Sequence, residues 1–370
     1  MKRDRVYIIA EAGVNHNGSL EMARALVDAA ADAGADGVKF QTFKSNAVIS
    51  RHAVKAAYQA QTTGSSESQL EMVKRLELNE SAHRELQVHC RHRGIQFLST
   101  PFDSESADFL VQHMDVPFVK IPSGEITNGP LLLHIANYGR PVVLSTGMST
   151  LADIEMALGV LAFGFIKNDS RPSRLAFQSA FLSPEGQTAI ANNVTLLHCT
   201  TEYPAPFDEV NLRAMQTLRA AFGIPVGYSD HTQGIAISLA AVALGAQVLE
   251  KHFTLDRSLP GPDHQASLEP GELASMVASV RNVEMAMGRE GKIPGPSELK
   301  NKPIARKSLV AARHIKAGDR YTEENMAAKR PGTGVSPMAY WDFLGAQAPR
   351  DFAEDEPISL SVSTRGDDGQ

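Results

Sequence analysis

The chain has 370 residues, 43% of them hydrophobic and 21% charged, with a formal net charge of −6. That length allows one large domain, or one large and one small. The charge balance gives no general basis for binding nucleic acid or an anionic membrane, although a local lysine cluster could still hold an anionic small substrate. The only cysteines are Cys90 and Cys199. They make no disulfide framework and point to a reducing, cytoplasmic setting. The apolar run after the basic start is too short for a signal peptide, and the longest one, over 235–249, is too short for a membrane span.

From the N-terminus one pattern recurs: a short β-branched run, a polar tip, then an amphipathic helical stretch. Residues 6–10 form the first expected strand, tipped by Glu11, Asn15 and His16. Ser19 then caps a helix expected over 20–33, which stops at Gly34. The second strand, 37–43, carries Lys39, Gln41 and Lys44. A polar excursion over 45–69 has the character of an active-site loop, and helices are expected at 71–76 and 81–93. Strands three to eight fall at 95–99, 118–121, 141–144, 194–197, 224–227 and 248–251. Their tips carry, in order, Thr100; Ser123 and Glu125; Ser145; His198, Cys199 and Tyr203; Asp230 and His231; and His252.

Eight βα units in about 290 residues match the count and length of a (β/α)8 TIM barrel. A doubly wound open sheet is the alternative, but no G-x-G-x-x-G or P-loop follows the first strand. The expected organisation is a barrel over 1–288, a linker over 289–303 rich in proline, glycine and lysine, a small domain over 304–362, and a tail over 363–370.

A barrel of this kind works at its C-terminal mouth. Side chains alternate along a strand, so Lys39 shares a face with Gln41, Ser123 with Glu125, and Glu250 with His252. His231 and His252 close consecutive strands. They are either hydrogen-bonded core residues or two ligands of one divalent metal, with Mn2+, Co2+, Zn2+ or Fe2+ suited to imidazole and oxygen donors. Lys39 and Lys120 end apolar strands and call for an anion. With Thr100, Ser123 and Ser145 they would cradle phosphate and carboxylate, the other role being the Schiff-base lysine of an aldolase. Glu11 and Glu125 are either acid/base groups or partners of those lysines. A thiol pair of Cys199 with His198 is excluded, because neighbours on a strand point to opposite faces.

The segments IIAEAGVNHNGS (8–19), VKFQTF (38–43), FLSTPFD (97–103), VKIPSGEI (119–126), LSTGM (144–148), LHCTTEYPAP (197–206), GYSDHT (227–232), LEKHFT (249–254) and GPDH (261–264) resemble the sialic acid synthase family. Its members condense phosphoenolpyruvate with an acylated hexosamine-type sugar to give a nine-carbon 2-keto acid. The later segments ARKSLVAARHIKAGD (305–319) and MAAKRPGTGVSP (326–337) resemble the antifreeze-like SAF domain, a β-clip, that ends such synthases.

The resemblance implies a barrel and a homodimer in which each SAF domain covers the partner's barrel mouth. It implies a divalent metal, Mn2+ or Mg2+ first and Co2+ next, on His231 and His252. Phosphoenolpyruvate would lie on Lys39, Thr100, Lys120, Ser123 and Ser145, with Glu11 and Glu125 as acid/base groups. Gln41, Tyr203 and Asp263 would meet the sugar, and Arg330 would reach its N-acyl group across the dimer. Thr201, the TTEYPAP form and an extra segment over 163–193 are most similar to bacterial legionaminic acid synthases, whose acceptor is 2,4-diacetamido-2,4,6-trideoxymannose. N-acetylneuraminate and pseudaminic acid synthases are the alternatives. Glu250 is expected to support His252, and Lys251 to pack or face solvent.

Overall fold

Eight parallel strands alternate with helices across the unit Met1–Gly288. They are β1 (Tyr7–Gly13), β2 (Gly37–Thr42), β3 (Gln96–Pro101), β4 (Val119–Ile121), β5 (Val142–Ser145), β6 (Val194–His198), β7 (Val226–Asp230) and β8 (Val248–His252). The structure, a computed structural model, describes residues 5–64 and 67–360. The tail expected over 363–370 lies outside them.

The hydrogen-bonded order is β3-β2-β1-β8-β7-β6-β5-β4. The two outermost strands, β3 and β4, bring Cα atoms within 8 Å of each other, although no ladder joins them among the described residues. The sheet therefore curls into a near-closed (β/α)8 barrel, as the βα count predicts, and not into an open doubly wound sheet.

Alternation sorts each strand into two jobs. Outward residues such as Ile8, Val38, Phe40, Phe97, Leu144 and Leu249 join the main core beneath the helices. Inward residues Tyr7, Ile9, Leu98, Phe118, Val143, Leu197 and Val248 form a separate apolar plug inside the barrel. The plug is tight enough to demand glycine at two inward positions. A Cβ on Gly37 would lie 2.8 Å from Leu98 Cδ1, and one on Gly227 would lie 2.3 Å from the Val248 carbonyl oxygen. Above this plug the inward positions turn polar, and that layer is the floor of the barrel mouth.

The connecting helices start where the side chains satisfy their first free N–H groups. Ser19 accepts from Met22 N at the head of Leu20–Asp32, and Asn79 does the same for Glu80–Arg93. Thr150 and Asp153 cap each other reciprocally at the head of Leu151–Phe165. Each such cap contributes about 1 kcal/mol.

Several strands run further than the apolar runs suggest. Glu11, Thr100, Ser145, Ser229, Asp230 and His252 lie within strands and not beyond them. Several of these polar groups find partners on neighbouring strands, Glu11 and Thr100 with Lys39 and Ser229 with Glu250, and the ladder continues past the point where hydrophobicity ends. The polar excursion after β2 is partly ordered as short helices, Ser45–Val48 and Ala57–Thr63. The extra segment before β6 forms Arg174–Leu182 and Pro184–Asn193, both packed against Leu151–Phe165. Gly159 permits this approach, since a Cβ there would meet the Phe177 carbonyl oxygen at 2.9 Å.

The second unit, Arg289–Gln370, has its own core of Leu309, Ile315, Tyr321, Met326, Phe343 and Phe352. Its β9 (Ser308–Ala311) and β10 (Met326–Lys329) pair antiparallel. Within the stretch read as a linker, 289–303, a helix begins at Pro296 and runs to Ala305. Pro296 suits a first helical turn, where no N–H partner is needed, and the Glu298 side chain accepts from Gly295 N. Prolines and lysines therefore marked a helix start there and not only a tether.

Candidate active site

Register decides which polar side chains meet. Glu11 lies opposite Lys39 on β2 and opposite His252 on β8. Gln41 faces Thr100 across β2 and β3, and Ser229 faces Glu250 across β7 and β8. All of them line one cavity of about 280 Å³ at the barrel mouth, together with Lys120, Ser123, Ser145, Tyr203, His231 and Asp263.

The deepest part is a four-charge cage. Lys39 Nζ lies 2.6 Å from Glu11 Oε2 and 3.6 Å from Glu250 Oε2, and it donates to Thr100 Oγ1 at 2.9 Å. Lys120 Nζ lies 3.5 Å from Glu250 Oε1, which also accepts from Ser229 Oγ at 2.9 Å. These four ionisable side chains are at most 4% exposed.

Their titration is set by where the charges sit. Burial pushes the Glu11 carboxyl up to about 7, against the pull of Lys39 and with the help of the Glu250 charge. Burial also opposes ionised Glu250, but Lys120 and Lys39 override it and hold that carboxyl down at about 2. Lys39 is held above the usual lysine value, since Glu11 and Glu250 outweigh its burial. Lys120 is pushed down by burial, which Glu250 only partly offsets. The cage thus presents two cations against one firm anion and one carboxyl poised near neutrality. An added phosphate or carboxylate would complete the charge balance.

The histidines lie beside this cage, His252 on the same strand as Glu250 and next to Glu11 in register. Their ring centroids are 5.5 Å apart, and Tyr203 lies 4.3 Å from His231 and 5.4 Å from His252. His231 Nδ1 contacts the Thr200 carbonyl oxygen, which can only accept, so Nδ1 carries the proton and Nε2 the lone pair. His252 Nδ1 is buried without a hydrogen-bond partner among the described residues, 3.9 Å from Asp263 Oδ2. Burial lowers His231 to about 4 and His252 well below the usual value, so both rings are neutral at pH 7, the ligand form of imidazole. Burial raises the Asp263 carboxyl to about 6.

No group of three or more His, Cys, Asp or Glu among the described residues is arranged to hold a metal ion. Two neutral imidazoles, one with an unused buried nitrogen, therefore fit a metal whose remaining positions are filled by substrate and water oxygens, and not a closed structural site.

Neutral donors ring the cage. Ser123 Oγ accepts from Gly147 N at 3.0 Å and lies 3.1 Å from Cys199 Sγ. Ser145 Oγ and Thr201 Oγ1 are buried without partners among the described residues.

One expected site residue is not brought into this cavity. Glu125 does not line it. It is half-buried in the turn Ser123–Glu125, and its Oε2 accepts from Asn128 Nδ2 at 2.7 Å, while Asn128 caps Gly129–Ala136. Strand alternation placed Glu125 beside Ser123, but β4 ends at Ile121 and the 3-10 turn abolishes the alternation. Arg330 lies in the second unit just after β10, where its Nε donates to the Ala305 carbonyl oxygen at 2.9 Å.

The outward positions behave as alternation requires. His198 meets the Val210 carbonyl oxygen at 2.7 Å, away from the Cys199 thiol. Asp230 accepts from Thr232 and Ser238 and pairs with Lys251 at 3.1 Å. Lys251 is fully buried there, so it packs and does not face solvent. Glu250 does more than support His252, because it bridges both lysines. Ser229 was missed as a site residue, although the same alternation places it inward beside His231.

Residues 26–292 match the family model described as NeuB family, and residues 306–361 match that of the SAF domain. The chain belongs to the NeuB family. It is 52% identical to N,N'-diacetyllegionaminic acid synthase of Campylobacter jejuni, over 96% of this chain and 99% of that protein. The synthase of the same name from Legionella pneumophila is 42% identical over 92% and 90%. Among solved structures, the N-acetylneuraminic acid synthetase of Leptospira borgpetersenii aligns with a TM-score of 0.63 at 34% identity, covering 80% of this chain and 90% of that one. The sialic acid synthase resemblance in the strand-end motifs thus belongs to the chain as a whole, SAF domain included.

Proposed function

We propose that this NeuB-family chain condenses phosphoenolpyruvate with 2,4-diacetamido-2,4,6-trideoxymannose to give N,N'-diacetyllegionaminic acid and phosphate. The observation that carries the reading is the buried cage, in which Lys39 and Lys120 flank Glu250 and line the cavity at the barrel mouth. The two legionaminic acid synthases, aligned along nearly their whole length, support the choice of sugar.

Lys39 and Lys120 hold the phosphate and carboxylate of phosphoenolpyruvate, with Thr100, Ser123 and Ser145 as neutral donors. C3 of the enol attacks the sugar's aldehyde carbon and forms the new C–C bond as the aldehyde π pair passes to oxygen, which ends as a hydroxyl with a proton that the added water gives up. Water then adds to the oxocarbenium-like C2, and cleavage of the C2–O bond releases phosphate. Glu11, with its carboxyl near 7, takes the proton of that water. This role falls to Glu11 and not to Glu125, which lies off the cavity. His231 and His252 would hold a divalent cation, Mn2+ or Mg2+ first and Co2+ next, which supplies Lewis-acid polarisation of the aldehyde. Gln41, Tyr203 and Asp263 would contact the sugar. The proposal extends to a cytoplasmic homodimer in which Arg330 of one protomer reaches the N-acyl group of the sugar bound by its partner. Among the described residues no helix is long and apolar enough to cross a membrane.

The test is phosphate release from phosphoenolpyruvate with three acceptors: the diacetamido-trideoxymannose, its altrose isomer and N-acetylmannosamine. Turnover highest on the first is expected. Turnover on N-acetylmannosamine alone would make the chain an N-acetylneuraminate synthase, and on the altrose isomer alone a pseudaminic acid synthase. A covalent adduct trapped by borohydride with pyruvate would overturn the mechanism in favour of a Schiff-base aldolase.

A further inference from the structure

The cavity is chemically lopsided. Its charged groups converge at the floor, whereas one side wall is apolar and comes from a single stretch of chain following β2. Phe43, Val48, Ile49, Met72, Val73 and Leu76 all line the cavity from this stretch, with Gln59 the one polar residue among them. Phe43 and Leu76 belong with Val14 to a small apolar cluster separate from both the main core and the barrel plug, against which Val48, Val73 and Phe102 pack.

Val48, Ile49 and Val73 are only half-buried, so they present apolar surface to the cavity. The stretch is fastened in place: Ser45 N donates to Glu77, Lys44 N donates to Asp103, and Thr63 Oγ1 meets Met72 Sδ at 3.4 Å. An apolar wall that the fold does not bury for itself is stabilised only when a ligand covers it. Hexoses are hydroxylated around most of their length, and a hydroxyl set against Val48, Ile49 and Val73 would be stripped of water with no partner among those three side chains. A methyl group there loses no hydrogen bond and gains by leaving water.

We propose that Val48, Ile49 and Val73 select the acceptor by its methyl-bearing end, taking the C6 methyl of a 6-deoxy sugar and rejecting a C6 hydroxyl. This rests on the acceptor assignment above and goes further by naming the residues and the atom they discriminate.

The experiment compares two acceptors that differ only at C6: 2,4-diacetamido-2,4,6-trideoxymannose and its 6-hydroxy counterpart. kcat/KM is measured for each with the intact protein and with Val73→Thr and Val48→Thr, which keep side-chain shape and exchange a methyl for a hydroxyl. The unaltered protein is expected to favour the 6-deoxy sugar by about tenfold or more, the range for one group in an apolar pocket. Each variant is expected to shrink that ratio several-fold, by losing the 6-deoxy sugar and gaining the 6-hydroxy one. An unchanged ratio, or an equal loss on both sugars, overturns the selection while leaving the proposed function standing. If the unaltered protein turns over N-acetylmannosamine and neither diacetamido sugar, the acceptor assignment itself falls, and the selection with it.

Discussion

Glu250 and Glu11 sit on either side of Lys39, yet the barrel treats them in opposite ways. Glu250 touches two lysines and a serine hydroxyl and stays ionised, whereas Glu11 shares one lysine and is pushed up to about 7. Replacing Glu250 with Gln leaves the buried Lys120 ammonium without its carboxylate and Lys39 with Glu11 alone. It should destabilise the fold by about 3 kcal/mol, the scale for removing one partner of a buried pair. Added inorganic phosphate should restore more stability to the E250Q protein than to the unaltered one, since an anion replaces the lost charge. Thermal melts with and without phosphate check this, and equal phosphate shifts in the two proteins would refute it. For Glu11 the sign runs the other way. Its folded value of about 7 lies above the ordinary 4.5, so the folded state binds the extra proton. Its stability contribution is therefore full below about pH 4.5 and is lost as pH rises through 7. Activity needs the deprotonated form, so kcat/KM should climb with pH up to about 7. E11Q should abolish that limb and lower the rate by about a hundredfold or more. A pH–rate profile that keeps the limb in E11Q would move the base elsewhere.

Among the elements, the strand ends and the turns just beyond them do the positioning. The turn after β5 is packed so closely that a Cβ on Gly147 would lie 2.2 Å from Thr201 Oγ1 and 2.8 Å from Ser123 Oγ. Gly147→Ala should therefore displace Ser123 and raise the KM for phosphoenolpyruvate by about tenfold or more, because misplacement on the ångström scale is costly in a preorganised site. Steady-state kinetics with phosphoenolpyruvate varied would show it, and an unchanged KM would remove Ser123 from the cradle. The same scale shows what the sequence could not convey about Glu125. Glu125 lies four residues past the end of β4, where strand alternation no longer says where a side chain points, and its carboxylate turns toward Asn128. Glu250 escaped its full weight for a different reason. Its own strand shows that it points inward, but only the closure of the barrel brings Lys39 and Lys120 to the same carboxylate.

On the scale of the whole molecule, the barrel mouth is a site to which nearly every strand contributes. Chelation should abolish phosphate release and Mn2+ should restore it. His252→Ala should do the same without unfolding the chain, as circular dichroism would verify. Full activity after exhaustive chelation would remove the metal from the mechanism. Light scattering should find a dimer. Arg330→Ala should raise the sugar KM and leave that for phosphoenolpyruvate nearly unchanged, and equal changes in both would take Arg330 away from the sugar.

The order of eight βα units, the inward pairs Lys39 with Gln41 and Glu250 with His252, and the family motifs were legible from residue types and spacing, because period-2 alternation and helix capping are local effects. The apolar runs also located every strand of the barrel, though they ended short of several polar residues that the ladder includes. Which side chains touch was decided only by tertiary structure. Glu11 meets Lys39 and His252 through two different ladders, and the sheet must curl before Lys39 and Lys120 can flank one carboxylate. The apolar wall of the cavity is tertiary in the same sense, since Val48 and Val73 lie on different helices and become one surface only when the excursion after β2 folds back over the mouth. Local physics wrote the elements into the chain, but a site assembled from groups far apart in sequence exists only once the barrel has brought them together.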